Sequence, residues 1–240
     1  MKRISFFSRL LNLIAPQYCY VCGTPLSISE EVLCGVCNMT LPRTGFAACP
    51  EDNEMVRMLW GRLYDKEKGT NLAEKATAMF RFEPDSQVSR LIYQLKYKYH
   101  PEIGELLGRM TAKEQSEDFF QDIDVIVPVP LTPRRQRQRG YNQSLRIAEG
   151  VSKVTGIPIA KHVIKRIAFQ ESQTKKNWWE RQTNVEGAFE LVQPQAITGK
   201  HILVIDDVMT TGSTILSCCE AFRQAEGVRF SILTIGFTKL

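Results

Sequence analysis

The sequence predicts an α/β domain with a mainly parallel sheet, preceded by a small cysteine-bearing module. Three observations predict it. From Ile123 onward, short β-branched runs alternate with amphipathic stretches, as strand–helix units of a parallel sheet do. The segment ILVIDDVMTTGST, residues 202–214, has the form of a buried strand, a glycine turn and a helix start. Two CxxC knuckles lie close together near the N-terminus.

The chain has 240 residues, enough for one domain of ordinary size and an appendage. A 43% apolar content supplies a core, and a net charge of +5 suits phosphate-bearing ligands without marking a nucleic-acid binder by itself. The opening MKRISFFSRLLNLIAP is interrupted by Arg9 and has no A-x-A cleavage site. Its Ile4, Phe7, Leu11 and Ile14 fall on one helical face. A helix packing on the protein itself is expected, with membrane-surface contact as the alternative. A cytoplasmic protein without a membrane span follows.

Residues 1–50 are expected to form the N-terminal helix and cysteine module, and residues 51–240 the main domain. Met55, Met58, Leu59 and Leu63 share helical spacing, as do Val88, Leu91, Ile92 and Leu95, and Ala78–Phe82 reads as a strand between them. Asp124–Val129 and His201–Ile205 read as buried strands, Gly187–Val192 and Val228–Phe237 as further strands. Tyr141–Val154 and Ser213–Gln224 read as helices, the first capped by Asn142 and stopped at Gly156-Ile157-Pro158. Cys218 and Cys219 are expected in a helix core. His100, His162 and His201 stand apart, without metal-ligand spacing.

The run from Ile202 carries the chemistry. In an open parallel sheet, ligands bind outside the carboxyl ends of the strands. The adjacent Asp206 and Asp207 would stand there. Gly212 allows the tight turn, and Thr210, Thr211, Ser213 and Thr214 offer hydroxyl donors beside unsatisfied helix N–H groups. The turn holds no lysine and no GxxxxGK[ST] pattern, which argues against an NTPase. Paired carboxylates suit vicinal hydroxyls or Mg²⁺, so a ribose 5-phosphate satisfies both halves of the segment.

A second basic element follows VPVPL: Arg134, Arg135, Arg137 and Arg139, then Gly140. Three readings stand for this loop: a phosphate or pyrophosphate clamp, a solvated basic loop, or a nucleic-acid backbone contact.

The 202–214 segment resembles the signature of type I phosphoribosyltransferases. The resemblance implies that Asp206 and Asp207 contact the ribose hydroxyls as catalytic residues. It implies that Thr210, Thr211, Gly212, Ser213 and Thr214 wrap the 5-phosphate of 5-phosphoribosyl-1-pyrophosphate (PRPP), with Mg²⁺ bound alongside. Val127–Leu131, Arg135 and Arg139–Gln143, together with Leu95-Lys96-Tyr97, are similar to motifs of the ComF family. That resemblance implies a pyrophosphate site of Lys96, Pro130, Leu131, Arg135 and Arg139. Arg166, Gln173, Arg181, Asn184 and Gly187-Ala188-Phe189 follow the family's R…Q…R…N-V-x-G-A-F stretch. This implies a hood loop over the site containing Gln173, Arg181 and Asn184. No general base stands out; either the acceptor supplies its own proton chemistry or Asp207 helps.

Cys19-x₂-Cys22 and Cys34-x₂-Cys37, separated by eleven residues, match a tetrahedral Cys₄ structural zinc site. One redox CxxC pair is the alternative, but two pairs argue against it. Two rivals to phosphoribosyl transfer remain. One is a competence-associated accessory protein that binds single-stranded DNA or DNA-uptake proteins, its Trp178-Trp179 pair stacking on bases. The other is a PRPP-binding regulator without turnover.

Overall fold

The computed structural model describes residues 16–65, 70, 71, 73–167 and 188–238. The elements in chain order are α1 (Gly35–Thr40), α2 (Glu54–Leu63), β1 (Tyr64–Asp65), β2 (Thr70–Asn71), β3 (Ala73–Arg81), α3 (Gln87–Tyr97), α4 (Pro101–Glu114) and α5 (Glu117–Phe120). They continue with β4 (Val125–Pro128), α6 (Pro133–Arg139), α7 (Gln143–Thr155), β5 (Ile164–Arg166), β6 (Phe189–Leu191), β7 (His201–Met209), α8 (Ser213–Phe222) and β8 (Arg229–Phe237).

The main sheet is four-stranded and wholly parallel, in the order β3-β8-β7-β4. The expected α/β architecture is therefore present. Both faces of the sheet are covered, as a parallel sheet requires. Ile202 and Val204 of β7 join a core with α2 and α8, while Leu203 and Ile205 join another with α3, α4 and α7. The cysteine segment packs on this second core through Leu26, Val32, Leu33 and Leu41.

Neither sheet edge is left bare. Residues 42–44 run antiparallel to β3, where Thr44 N–H donates to Met79 O at 3.1 Å and Arg81 N–H to Pro42 O at 2.8 Å. On the other edge, Ile126 N–H donates to Pro158 O and Ala160 N–H to Ile126 O. Such cover removes a row of free backbone groups that could template aggregation.

The helices that the periodicity predicts around Met55–Leu63, Val88–Leu95, Tyr141–Val154 and Ser213–Gln224 are all present, with ends shifted by a few residues. Asn142 caps α7, accepting from Ser144 N–H at 3.0 Å, and Gly156 ends the helix in the left-handed region. Cys218 and Cys219 are fully buried in α8.

Three expectations need correction. β7 does not stop at Ile205 but runs to Met209, because Asp206, Val208 and Met209 keep their register with β8. The arginine run is a helix, α6, and not a loop. Thr132 caps it by accepting from Arg135 N–H, Pro133 fits its first turn, and Gly140 closes it at φ 75°. The strand at Phe189–Leu191 lies outside the parallel sheet and pairs antiparallel with Ile164–Arg166, which carries no clear strand pattern of its own. The N-terminal helix expected over residues 4–14 lies outside the described residues.

Asn53 joins α2 to β3. Its side-chain oxygen accepts from Met55 and Val56 N–H, and its amide nitrogen donates to Ala76 O at 2.7 Å and Cys49 O at 3.0 Å. The residue is buried. Asn53→Ala strands these partners away from water and is expected to cost about 2–3 kcal/mol. In urea titrations the midpoint should fall while the slope stays constant.

Candidate functional site

The site lies where the carboxyl ends of the strands open. β4 ends with Pro128, paired to Ile205, and the last backbone bond on that side joins Val129 N–H to Ile205 O. β7 continues beyond this point while paired only with β8. The residues of this overhang, Asp206 to Met209, therefore face an opening. Pro128 and Pro130 help end the ladder on the β4 side, since proline has no N–H to donate.

Neighbouring strand residues point to opposite sides, so the two aspartates have different surroundings. Asp207 is buried and pairs with Lys96 Nζ at 2.8 Å, at the end of α3. Asp206 Oδ1 accepts from Ser144 Oγ at 2.9 Å and from Asp207 N–H at 2.9 Å. Burial, helped by the Asp207 carboxylate, pushes the Asp206 carboxyl up to about 7. The site thus carries one carboxylate balanced by a cation and one that is not.

After Met209 the chain turns at Gly212, whose φ of 73° is costly for any side-chain-bearing residue. Ten-residue α8 starts there without a cap from Gly212; Ser213 N–H donates to Thr211 Oγ1 at 3.4 Å, and the N–H groups that follow point towards a ligand on the turn. Thr210 and Thr214 line the cleft. Thr211 and Ser213 bond to each other, with 3.1 Å between their hydroxyls.

A basic wall faces the acids. The cleft, about 270 Å³, is lined by Lys96, Arg135, Arg139, Arg166, Leu131 and Phe82 together with Asp206, Asp207, Val208 and the two threonines. Arg139 donates to Gln143 Oε1 at 2.8 Å and lies over the Tyr97 ring at 5.1 Å. Burial holds the Arg166 guanidinium below its ordinary range, and nearby Arg135 adds to this. The Tyr141 hydroxyl donates to Leu95 O, and Asn142 Nδ2 donates to Val129 O at 3.0 Å. The start of α7 is thereby fastened to α3 and to the end of β4.

The structure brings Lys96, Leu131, Arg135, Arg139, Asp206, Asp207, Thr210 and Thr214 around one cleft. Pro130 precedes Leu131 without lining it. Gln173, Arg181 and Asn184 lie outside the described residues. Phe82 and Arg166 line the cleft, and Ser144 bonds Asp206 behind it. Arg166 falls in a recognised motif, but nothing local to Ser144 or Phe82 marks them.

The side-chain sulfurs of Cys19, Cys22, Cys34 and Cys37 all lie within 4.8 Å of one another, and the four could hold a metal ion. Cys22 and Cys34 Sγ are 3.7 Å apart. Tetrahedral zinc with Zn–S bonds of about 2.3 Å would place its sulfurs roughly 3.8 Å apart. A hydrogen bond with the Thr24 hydroxyl, ahead of one with its backbone, lowers the Cys22 thiol to about 6. His100 and His201 stand away from this cluster. The first bonds Tyr20 and Glu102, and the second is buried against Ser231.

No family model matches the chain. The DNA utilization protein YhgH of Salmonella typhimurium is 29% identical over 210 residues, covering 85% of this chain and 89% of that protein. Competence protein ComFC of Bacillus subtilis is 26% identical over 209 residues, covering 86% and 79%. Competence protein F of Haemophilus influenzae is 32% identical over 102 residues, 42% of this chain and 44% of its own. Among solved structures, the allosteric regulatory enzyme of purine biosynthesis superposes with a TM-score of 0.39 at 20% identity, over 58% of this chain and 29% of that one. An adenine phosphoribosyltransferase gives 0.34 at 15% identity, over 60% and 84%. The fold assignment rests on the strand order above and not on these superpositions. Along most of its length the chain is similar to competence and DNA-utilization proteins, in keeping with the ComF resemblance of its VPVPL and RGYNQ motifs and its paired CxxC knuckles.

Proposed function

We propose that the cleft binds PRPP with Mg²⁺ and that the protein transfers the phosphoribosyl group to an acceptor, releasing pyrophosphate. The observation that carries this reading is the convergence at the end of β7. An acidic pair stands between the open N-terminus of α8 and a wall of Lys96, Arg135, Arg139 and Arg166. A sugar diol on the aspartates would have a phosphate on the turn and a pyrophosphate on the cations.

In the proposed step, the bond from C1 to the pyrophosphate oxygen breaks with its electron pair, and the acceptor's lone pair forms the new bond to C1. Lys96, Arg135 and Arg139 neutralise charge growing on the leaving group. Asp206, held near neutrality, is placed to take the proton that the acceptor sheds; Asp207 is already committed to Lys96. Mg²⁺ would enter with PRPP, beside the acidic pair whose charge suits a hard cation. Bound there, the ion supplies further neutralisation of the pyrophosphate. The resemblance implies a hood containing Gln173, Arg181 and Asn184, which lie outside the described residues.

Isothermal calorimetry with Mg·PRPP tests the reading. Wild-type protein should bind, and Arg135→Ala should weaken binding about tenfold or more through loss of a charge-assisted contact. Absence of binding by folded wild type would sink the proposal. Pyrophosphate release with a panel of amines and bases separates an enzyme from a regulator that binds without turnover.

The relatives' names favour a second reading, in which the protein handles single-stranded DNA or docks on DNA-uptake proteins, and α6 offers four arginines for backbone contact. Binding that falls with salt and is lost in Arg135→Ala/Arg139→Ala would support it.

We further propose that the four cysteines hold a structural zinc ion. Metal analysis should find about one zinc per chain, and chelation should lower the thermal midpoint, since so short a segment has little core of its own. An intact fold after chelation would count against the ion. No helix among the described residues is long and apolar enough to cross a membrane. We place the protein in the cytoplasm, where reduced thiols remain free to bind metal.

A further inference from the structure

A second cleft adjoins the first. It is about 360 Å³ and is lined by Lys96, Tyr97, Tyr99, Arg135, Gln138 and Arg139. Lys96, Arg135 and Arg139 line both clefts. The new elements are aromatic faces. Tyr97 is 54% exposed and Tyr99 67%. Tyr97 packs on Tyr93 with ring centroids 5.1 Å apart.

Tyr99 is held open by the backbone. Its φ of 58° is a left-handed conformation that a bulky residue seldom adopts. Its hydroxyl donates to Gln138 O at 3.1 Å. The ring lies against Gly140, where a Cβ would come within 3.3 Å of it. A strained, exposed tyrosine kept beside three cations is the kind of feature that ligand sites retain.

We propose that this cleft binds a nucleoside diphosphate or triphosphate, with the base stacked on Tyr97 and Tyr99 and the phosphates on Lys96, Arg135 and Arg139. Three cations and no acid line the cleft, so the ligand is anionic. The tyrosine faces select a planar ring. A phosphorylated acceptor is the wrong occupant. If the donor's pyrophosphate occupies the shared cations, this cleft lies behind the leaving group, whereas an acceptor attacks C1 from the other side. The nucleotide and PRPP therefore compete, and the nucleotide regulates the site. This competition rests on the donor reading above; the nucleotide site itself does not.

Calorimetry on the full chain with ADP, inorganic pyrophosphate and a ten-residue oligothymidylate tests the inference. ADP should bind about tenfold more tightly than pyrophosphate, as one stacked base provides. In Tyr97→Leu/Tyr99→Leu that ratio should fall towards one, while Tyr97→Phe/Tyr99→Phe should keep most of it. Equal affinity of wild type for ADP and pyrophosphate overturns the proposal, as does a ratio that survives the leucine pair. So does binding of the oligonucleotide alone, which would make the tyrosines a strand platform. PRPP should displace ADP. Tyrosine-dependent ADP binding in a protein that does not bind PRPP would leave the nucleotide site standing and remove the donor reading.

Discussion

Gly108→Ala or Gly150→Ala will prise α4 from α7 and cost about 3 kcal/mol or more. A Cβ at Gly108 would stand 2.1 Å from Ile147 O, and one at Gly150 would stand 2.1 Å from Glu105 O. Both obstacles are helix backbone, which cannot rotate aside as a side chain does. The helices touch through bare backbone, and a methyl group requires them to separate. Separation would open the core around Ile103, Leu107, Ile147 and Val151, all fully buried. Overpacking alone costs about 1–3 kcal/mol, and lost packing adds to it. For a chain of this size the thermal midpoint should fall by roughly 6–12 °C. Gly61→Ala is the control. Gly61 lies in α2 with nothing within 4 Å of an added Cβ, so alanine there should be neutral or slightly stabilising. Equal melting of Gly108→Ala and Gly61→Ala would refute the close crossing. The crossing matters to the site because α7 carries Ser144 and starts beside Asn142.

Asp206→Asn should abolish measurable Mg·PRPP binding and yet make the free protein more stable above pH 7. An asparagine oxygen can still accept from Ser144 and from Asp207 N–H, so the local geometry has no reason to collapse. What disappears is a charge. The carboxyl rises from an ordinary 3.8 to about 7, so between these values the folded chain binds a proton that the unfolded chain has released. Wild-type stability must therefore fall as pH rises from about 4 to about 7, and remain lower above that. Three pH units would correspond to about 4 kcal/mol at most. The coupling to Asp207 and the open side of the cleft reduce this to an expected 1–3 kcal/mol. Urea titrations at pH 4.5 and pH 8 should show a gain for Asp206→Asn that grows with pH. Parallel stability curves for variant and wild type would show that Asp206 is not held near neutrality. Strain of this sort is common at binding sites, where stability is given up for a poised charge.

Much of the site is legible in the chain because it is local. β7 declares itself by an apolar run bounded by acids, and the run is apolar throughout because both of its faces are covered. Asp206, Asp207 and the turn to Thr214 are consecutive, so their shared position follows from one strand–turn–helix. The cysteine spacing likewise brings four sulfurs together through two short knuckles. The caps of α6, Thr132-Pro133 and Gly140, are also local, and they show why a run of arginines forms a helix where charge alone suggests a loop.

The rest depended on what meets across the sheet. Lys96 comes from α3, Ser144 from α7, Arg166 from a hairpin strand and Phe82 from beyond β3, and no sequence interval relates them. The length of β7 was likewise set by its partner. β8 continues the ladder past Ile205 while β4 stops, and that overhang gives the aspartates their cleft. The sequence by itself determined the α/β class, the acidic pair with its phosphate-type turn, and the cysteine cluster, because short-range periodicity and spacing encode them. Only the tertiary structure decided that Arg166 joins the cations facing the acids, that Asp207 is neutralised while Asp206 is not, and that α4 and α7 cross at Gly108 and Gly150, because charge balance and backbone approach depend on distances between elements far apart in the chain.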